Sequence, residues 1–113
     1  MKEPLVNRKM IADLLYGDEE YVDLFIDASV ESFTEFRDHF GQSMRLKNIE
    51  NLKSAGHKIK PVSQIMKLDP IIEMYENSKL LLANNATDLD ITMAIDAMQN
   101  YCDELIEDLK SLK

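Results

Sequence analysis

The sequence has no tryptophan, one cysteine, three glycines and three prolines among its 113 residues. Its single cysteine, Cys102, cannot form an internal disulfide, which fits the reducing cytoplasm better than a secreted disulfide scaffold. Because glycines and prolines are so few, turns are few and the elements between them are long, which indicates helices. Residues 1–20 contain no apolar run long enough for a signal peptide or a membrane span. We therefore expect a cytoplasmic protein without a membrane partner.

The overall charge bears on a further class of partner. The formal net charge is -8 at pH 7, with 21 acidic residues against 13 basic ones. This excess of acid argues against a nucleic-acid ligand, because a phosphate backbone attracts basic surfaces. Hydrophobic residues make up 45% of the chain and charged residues 30%, as in an ordinary folded domain. The length suits a single domain over residues 1–113.

Apolar spacing and helix-stopping residues divide the chain into five predicted helices. The first is short, has Pro4 in its first turn, runs through Leu15 and stops at Gly17. Asp18 is the predicted N-cap of a long second helix that extends to about Arg45.

The second half of the chain continues the helical pattern. Asn48 is the predicted cap of a third helix, and Asp69 with Pro70 is the predicted N-cap and first turn of a fourth that ends near Ala83. The last helix is expected from about Leu89. The sequence has no strand-like alternation of useful length. We therefore predict an all-α fold, an antiparallel four-helix bundle with a short additional N-terminal helix.

Positive charge is concentrated in one segment of this acidic chain. Residues 45–67 contain six basic residues and one acidic residue, whereas the remainder contains seven basic and twenty acidic residues. A charge run of this kind is often only a solvated helix face. The presence of His57 within it raises the alternative that the positive charge serves a site.

A helical wheel of the third helix places His57 away from the core. With about 100° of rotation per residue and Leu52 at the centre of the buried stripe, the other stripe residues lie within roughly 40°. These are Gly56, Ile59, Ser63 and Met66. His57 lies roughly 140° from Leu52, and Pro61 is directly opposite the core. The residues that flank His57, at about 80° to 120°, are Lys53, Lys60 and Gln64. His57 is therefore predicted to face solvent, among cations rather than carboxylates.

An exposed imidazole beside lysines suits phosphoryl chemistry. A neutral imidazole has a nucleophilic nitrogen lone pair. Nearby cations attract a phosphoryl group and stabilise its charge, and Lys60, three residues after His57, lies on the same helix face. The segment is therefore interpreted as a phosphate-handling surface, with a surface histidine of no function as the alternative.

A metal site explains the same residues less well. Zinc or iron needs several converging His, Cys or carboxylate ligands, and this helix offers one imidazole among lysines. Glu35 and His39 lie one turn apart, but no second pair of this kind exists for a di-iron bundle. His39 is expected to be a surface or helix-end residue and Cys102 a small core residue. We expect neither a metal nor another cofactor.

Two stretches of the sequence resemble motifs of a known family. "HKIKP" matches a helical His-x-hydrophobic-Lys-Gly motif at His57, Ile59 and Lys60. Upstream, "LLYGDEEYVDLFI" is similar to a Gly-Asp-acid-acid-aromatic entry into a second helix, at a fitting distance from the histidine. In these motifs and in its five predicted helices, nearly the whole chain resembles a histidine-containing phosphotransfer (HPt) domain.

The resemblance implies a phosphorelay carrier. A receiver-domain aspartyl phosphate would pass its phosphoryl group to His57, and the aspartate of a second receiver would accept it in turn. Lys60 would bind phosphoryl oxygens through charge-assisted hydrogen bonds. Lys53 and Gln64 are added from the helical wheel as weaker flanking contacts.

The implied partners are response-regulator receiver domains and a sensor histidine kinase, which can be a hybrid kinase. The metal ion that such transfers need would be held by the receiver. The chain itself is expected to be a monomeric phosphocarrier without an ATP-binding domain, and not an enzyme in its own right.

Pro61 departs from the family motif, which usually has glycine after the lysine, and Lys67 stands where a later glycine often closes the helix. Proline cannot donate to the carbonyl of His57 and its ring crowds that carbonyl, so we expect a local bend. The bundle either absorbs this bend or uses it to present the imidazole.

Two other functions are compatible with the sequence. A non-catalytic helical adaptor would use the same scaffold to bind a receiver or a histidine kinase without phosphotransfer. A small metal-binding bundle would require bound metal in the purified protein.

Overall fold

The computed structural model describes residues 3–113, which form five helices and no strand. The helices are α1 (Arg8–Leu14), α2 (Glu19–Arg45), α3 (Ile49–Ile65), α4 (Asp69–Ala83) and α5 (Asp88–Ser111). The predicted all-helical fold class is therefore confirmed, and the arrangement is consistent with a helical bundle. None of the helices in residues 3–113 is both long and apolar enough to cross a membrane.

The long helix α2 is the centre of the packing. It contacts α1, α3 and α5, while α4 contacts α3 and α5. Its large apolar side chains, spaced three or four residues apart, lie on one face and are buried there, as the stripe requires. Among them are Phe33, Phe36, Phe40 and Met44. Consequently α3 has one side against α2 and a second side against α4, which leaves the rest of its surface to solvent.

Side-chain caps fix the beginnings of α2 and α3. The Asp18 carboxylate accepts hydrogen bonds from the backbone N–H groups of Glu20 and Tyr21 at 3.2 and 3.3 Å. Asn48 accepts one from the N–H of Asn51 at 3.1 Å. These bonds satisfy N–H groups that have no partner inside the helix. Both predicted caps are therefore confirmed.

The predicted start of the first helix is wrong. Helix α1 begins at Arg8 rather than near Pro4, because Asn7 caps it by accepting a hydrogen bond from the N–H of Met10 at 2.7 Å. The preceding residues contact α5 instead, where the N–H of Leu5 donates to Asp108 Oδ2 at 2.9 Å. A tertiary contact therefore holds this segment outside the helix, and a local pattern does not encode such a contact.

The predicted N-cap of α4 is also wrong. The N-cap is Leu68, and Asp69 is already the first helical residue, with Pro70 in the first turn. Leu68 is buried, and its N–H donates to the carbonyl of Ser63 at the end of α3 at 2.8 Å. Burial of Leu68 thus starts α4 one residue earlier than the Asp-Pro pair indicates.

Two lysines in the left-handed region of backbone conformation precede and follow α3. Lys47 has a φ of 53° and Lys67 a φ of 58°. The residue after each donates its N–H to a carbonyl five residues back, Asn48 to Ser43 at 2.9 Å and Leu68 to Ser63 at 2.8 Å. This bonding pattern closes a helix and usually employs glycine at the left-handed position. The turns before and after α3 are therefore tight, and each has a lysine where the left-handed conformation costs conformational energy for any residue but glycine.

Helix α3 continues past Pro61 as a single helix to Ile65. Its predicted stripe is buried throughout, and consists of Leu52, Gly56, Ile59, Ser63 and Met66. The helical wheel therefore gave the orientation of α3 correctly. The bend expected at Pro61 stays a prediction.

Candidate functional site

His57 is exposed on α3. The residues that orient it are Leu52 and Ile59, which are buried on the other side of the helix, at 0% and 3% relative exposure. With those side chains fixed in the core, the turn of the helix directs residue 57 outward. The predicted exposure of this imidazole is thus observed.

His57 lies in a shallow groove between α3 and α4, which we call the His57 groove. Its lining residues from α3 are Lys53, Gly56, His57 and Lys60, and those from α4 are Tyr75, Glu76 and Lys79. Of the residues singled out in the sequence, the structure brings His57, Lys60 and Lys53 together here. Pro61 and Gln64 are exposed on α3 and are not among the described lining residues of the groove.

The floor of the groove depends on a glycine. A Cβ atom built at Gly56 would lie 2.0 Å from Cζ of Tyr75, far inside van der Waals contact. Gly56 therefore allows the Tyr75 ring to pack directly on the α3 backbone, next to His57. Tyr75 is buried, and its burial raises the pKa of its hydroxyl.

A carboxylate lies among the cations of the groove. Glu76 Oε2 is 3.0 Å from Lys79 Nζ on the same helix, and Glu76 Oε1 is 3.7 Å from Lys60 Nζ on α3. The expectation that His57 lies among cations rather than carboxylates is therefore wrong in this respect. The wheel of α3 could not include Glu76, which a neighbouring helix contributes.

The ion pair between Glu76 and Lys79 shifts the pKa of both side chains. The pKa of Glu76 is lowered, mainly because Lys79 donates a hydrogen bond to its carboxylate, with a smaller effect from Lys60. The pKa of Lys79 is raised, first of all by the same hydrogen bond. Lys79 also lies over the ring of Tyr75, with its ammonium 4.8 Å from the ring centroid. Contact with the ring and the carboxylate therefore holds Lys79 as a cation at the groove edge.

Tyr75, Glu76 and Lys79 were not among the site residues predicted from the sequence. One signal for them was present, because Gly56 interrupts an apolar stripe in the middle of a helix, where glycine costs stability. A glycine at such a position is consistent with the close approach of a neighbouring group. This signal indicates that something packs there, but not which residue of α4 it is.

The other histidine lies in a different groove, between α2 and α3, which we call the His39 groove. Its described lining residues are Ser32, Glu35, Phe36, His39, Ala55, Lys58 and Ile59. His39 is partly buried within α2, six residues before the helix ends. Glu35 and His39 do line one groove, as their spacing indicates.

Cys102 is a buried core residue, as predicted from its place in the last helix. Burial raises the pKa of its thiol to about 12, which keeps the side chain protonated and a poor nucleophile. Among residues 3–113, no three or more His, Cys, Asp or Glu side chains are grouped so that they could hold a metal ion.

The His57 groove places cationic side chains next to a side chain that can act as a nucleophile. It combines a solvent-accessible imidazole with ammonium groups from two helices, and the carboxylate that now pairs with those groups is itself 44% exposed. A tetrahedral oxyanion above the imidazole could accept hydrogen bonds from the same lysines. An imidazole beside ammonium groups is an arrangement in which a nitrogen could accept a phosphoryl group while the cations offset its charge.

Comparisons with known proteins gave no match. No family model matches the chain, and neither the curated proteins nor the solved structures contain a match. What the His57 groove does is therefore inferred from the chemistry of its residues.

Proposed function

We propose that this protein is a phosphorelay intermediate of the HPt type, which carries a phosphoryl group on His57. In this proposal the five helices form an antiparallel four-helix bundle, α2 to α5, with α1 as the short additional helix. The contacts of α2 with α3 and α5, and of α4 with the same two helices, support that arrangement. So do the short connections between successive helices.

One observation carries the functional proposal: the exposed His57 shares a groove with Lys60 from its own helix and Lys79 from the neighbouring one. Ammonium groups from two helices, in one groove with the imidazole, would bind oxygens of one phosphoryl group. Lys53 is exposed, and its Nζ is 3.9 Å from Glu50 Oε1. In the proposal it is a weaker flanking cation. Pro61 and Gln64 lie outside the groove lining, so any role for them is in contact with a partner protein.

The proposed transfer has two reversible steps. A nitrogen lone pair of His57 attacks the phosphorus of an aspartyl phosphate, a P–N bond forms, and the P–O bond breaks with its electron pair going to the aspartate carboxylate. In the second step the carboxylate of another aspartate attacks the phosphorus, and the P–N electron pair returns to the imidazole. Lys60 and Lys79 would offset the charge of the phosphoryl group throughout.

The partners that this chemistry requires are receiver domains that supply and accept the aspartyl phosphate. A sensor histidine kinase, free or hybrid, would be the origin of the phosphoryl group. We place the relay in the cytoplasm and infer that the chain acts in it as a phosphocarrier.

The experiment that tests the proposal uses a small donor and then a protein donor. The purified chain is incubated with phosphoramidate, and afterwards with receiver domains phosphorylated on aspartate. Intact mass and peptide fragmentation should find one acid-labile, alkali-stable phosphate on the peptide that contains His57. Absence of this phosphate with every donor would refute the phosphocarrier.

A non-catalytic adaptor is the second candidate, and the pairing of Lys60 with Glu76 is the observation in its favour, since this cation already has a partner. An adaptor would bind a receiver or a histidine kinase, detectable by calorimetry, without gaining phosphate. Binding together with phosphate on His57 supports the carrier instead.

A further inference from the structure

The carboxylate of Glu76 forms ion pairs with Lys60 and Lys79, the cations that a phosphoryl group on His57 would need. It bridges Lys60 and Lys79, at 3.7 and 3.0 Å, and thereby links α3 to α4 across the groove. Its lowered pKa means that it is ionised at neutral pH. The Glu76 carboxylate therefore lies against the two ammonium groups that a phosphoryl group would contact.

This carboxylate is easily displaced. The Glu76 and Lys60 side chains are 44% and 45% exposed, and an ion pair between two such exposed groups is weak. A phosphoryl group carries more negative charge than a carboxylate and has three strong acceptor oxygens. Lys79 would remain at the groove edge after Glu76 turned away, because it also lies over the Tyr75 ring.

We propose that Glu76 is a resident counter-anion of the His57 groove, which holds Lys60 and Lys79 when the groove is empty and yields them to a phosphate dianion. This inference rests on the proposed function for the identity of its ligand, a phosphoryl group. It assigns Lys79 as a second phosphate-binding cation and Glu76 as a positioning residue that weakens phosphate binding by competition.

A competing carboxylate suits a carrier that must release what it binds. If the phosphoryl group were bound by free lysines, loading would be more favourable and onward transfer correspondingly less so. With Glu76 present, departure of the phosphoryl group restores two ion pairs in the groove, which offsets part of the lost attraction. The carboxylate thus brings the loaded and unloaded states closer in free energy.

The test measures binding of inorganic phosphate by NMR, with the His57 ring and the groove amides as probes. Glu76→Gln should bind phosphate about three- to tenfold more tightly than the wild type, because the competitor has lost its charge. Glu73→Gln is the matched control, since Glu73 is exposed one turn earlier on α4 and is not among the described lining residues. It removes the same charge from the protein and should change the affinity by less than about twofold.

Further variants distinguish competition from a general change of charge. Glu76→Asp retains the carboxylate and should bind phosphate with nearly the wild-type affinity. In a Lys79→Gln background, Glu76→Gln should have a smaller effect, because one of the cations in dispute is gone. Equal affinities for the wild type, Glu76→Gln and Glu73→Gln would overturn the inference, as would the absence of any phosphate-induced shift in Glu76→Gln.

The inference and the proposed function fail in different ways. If phosphoramidate labels His57 in every variant but phosphate affinity is indifferent to Glu76→Gln, the counter-anion role is wrong and the carrier stands. If no variant gains an acid-labile phosphate while Glu76→Gln still binds phosphate more tightly, the groove is a phosphate-binding site with a counter-anion, and the carrier is wrong.

Discussion

The two histidines of this chain differ in what the neighbouring helix provides. Each lies in a groove that contains a lysine and a glutamate. His57 is exposed and has lysines from both α3 and α4 around it, whereas His39 is partly buried and the cation among the described lining residues of its groove is Lys58. The comparison teaches that two histidines beside lysines can differ in their exposure and in whether lysines of one helix or of two line the groove. The phosphocarrier proposal places the phosphoryl group on His57 because of this difference.

Substitution of the histidines should have the largest effect on labelling by phosphoramidate. His57→Gln removes the nitrogen that would form the P–N bond, so labelling by phosphoramidate should be lost completely. His39→Gln should label like the wild type. Intact mass before and after acid treatment measures both. A phosphate that survives His57→Gln and disappears in His39→Gln would reverse the comparison and move the site to the His39 groove.

Removal of the neighbouring lysines should have the next largest effect. Lys60→Ala should slow labelling of His57 about 10- to 100-fold, less than the loss of a donor in a closed active site, because solvent screens this groove. Lys58→Ala removes the same charge from the same helix but from the His39 groove, and should change the rate by less than about twofold. Time courses of intact mass provide both rates. Similar losses in the two variants would mean that only the summed charge of α3 matters.

The glycines beside the two histidines should respond oppositely to alanine. Gly56→Ala places a methyl group against the Tyr75 ring and should lower the free energy of unfolding by about 1–3 kcal/mol. At Gly41, the nearest group to a new Cβ is the movable end of Arg45, at 3.1 Å. Gly41→Ala should therefore stabilise by about 0.5–1 kcal/mol, the usual gain inside a helix. Urea unfolding followed by circular dichroism measures both. A stable Gly56→Ala variant would show that α4 moves away at little cost.

A charge outside both grooves should have the smallest effect. Lys67→Gly removes a cation of the positive segment at a residue with a φ of 58°. Glycine adopts this conformation without a steric cost, so the free energy of unfolding should rise by about 0.5–1 kcal/mol. The labelling rate of His57 should be unchanged. Slower labelling of His57 in Lys67→Gly would mean that the total charge of residues 45–67 controls the rate. The difference between the His57 and His39 grooves would then not explain it.

Local physics explains which parts of the fold could be predicted. The starts of α2 and α3 were predicted correctly because each is set by a cap residue that bonds to N–H groups two or three residues later. The buried stripe of α3 was predicted correctly because it follows from the rotation of the helix per residue. The start of α1 is set by a local cap at Asn7, which the prediction passed over in favour of Pro4. The contact of Leu5 with Asp108 and the burial of Leu68 before α4 are tertiary, and a local pattern does not encode them.

The same distinction applies to the candidate site. His57, Lys60 and Lys53 belong to one helix, and a wheel relates them to one another. Glu76 and Lys79 enter the groove because of the way α4 crosses α3, and a wheel contains no information about crossing. The residues that α4 contributes to the site could therefore be identified only from the structure.

The contact between Gly56 and Tyr75 has a consequence for how freely the chain can diverge. Since the ring fills the volume of a missing methyl group, α3 has little freedom to roll about its own axis on this side. The orientation of the neighbouring His57 side chain is therefore fixed by the close spacing of α3 and α4. A larger residue at position 56 would therefore call for a smaller one at position 75, so the two side chains constrain each other.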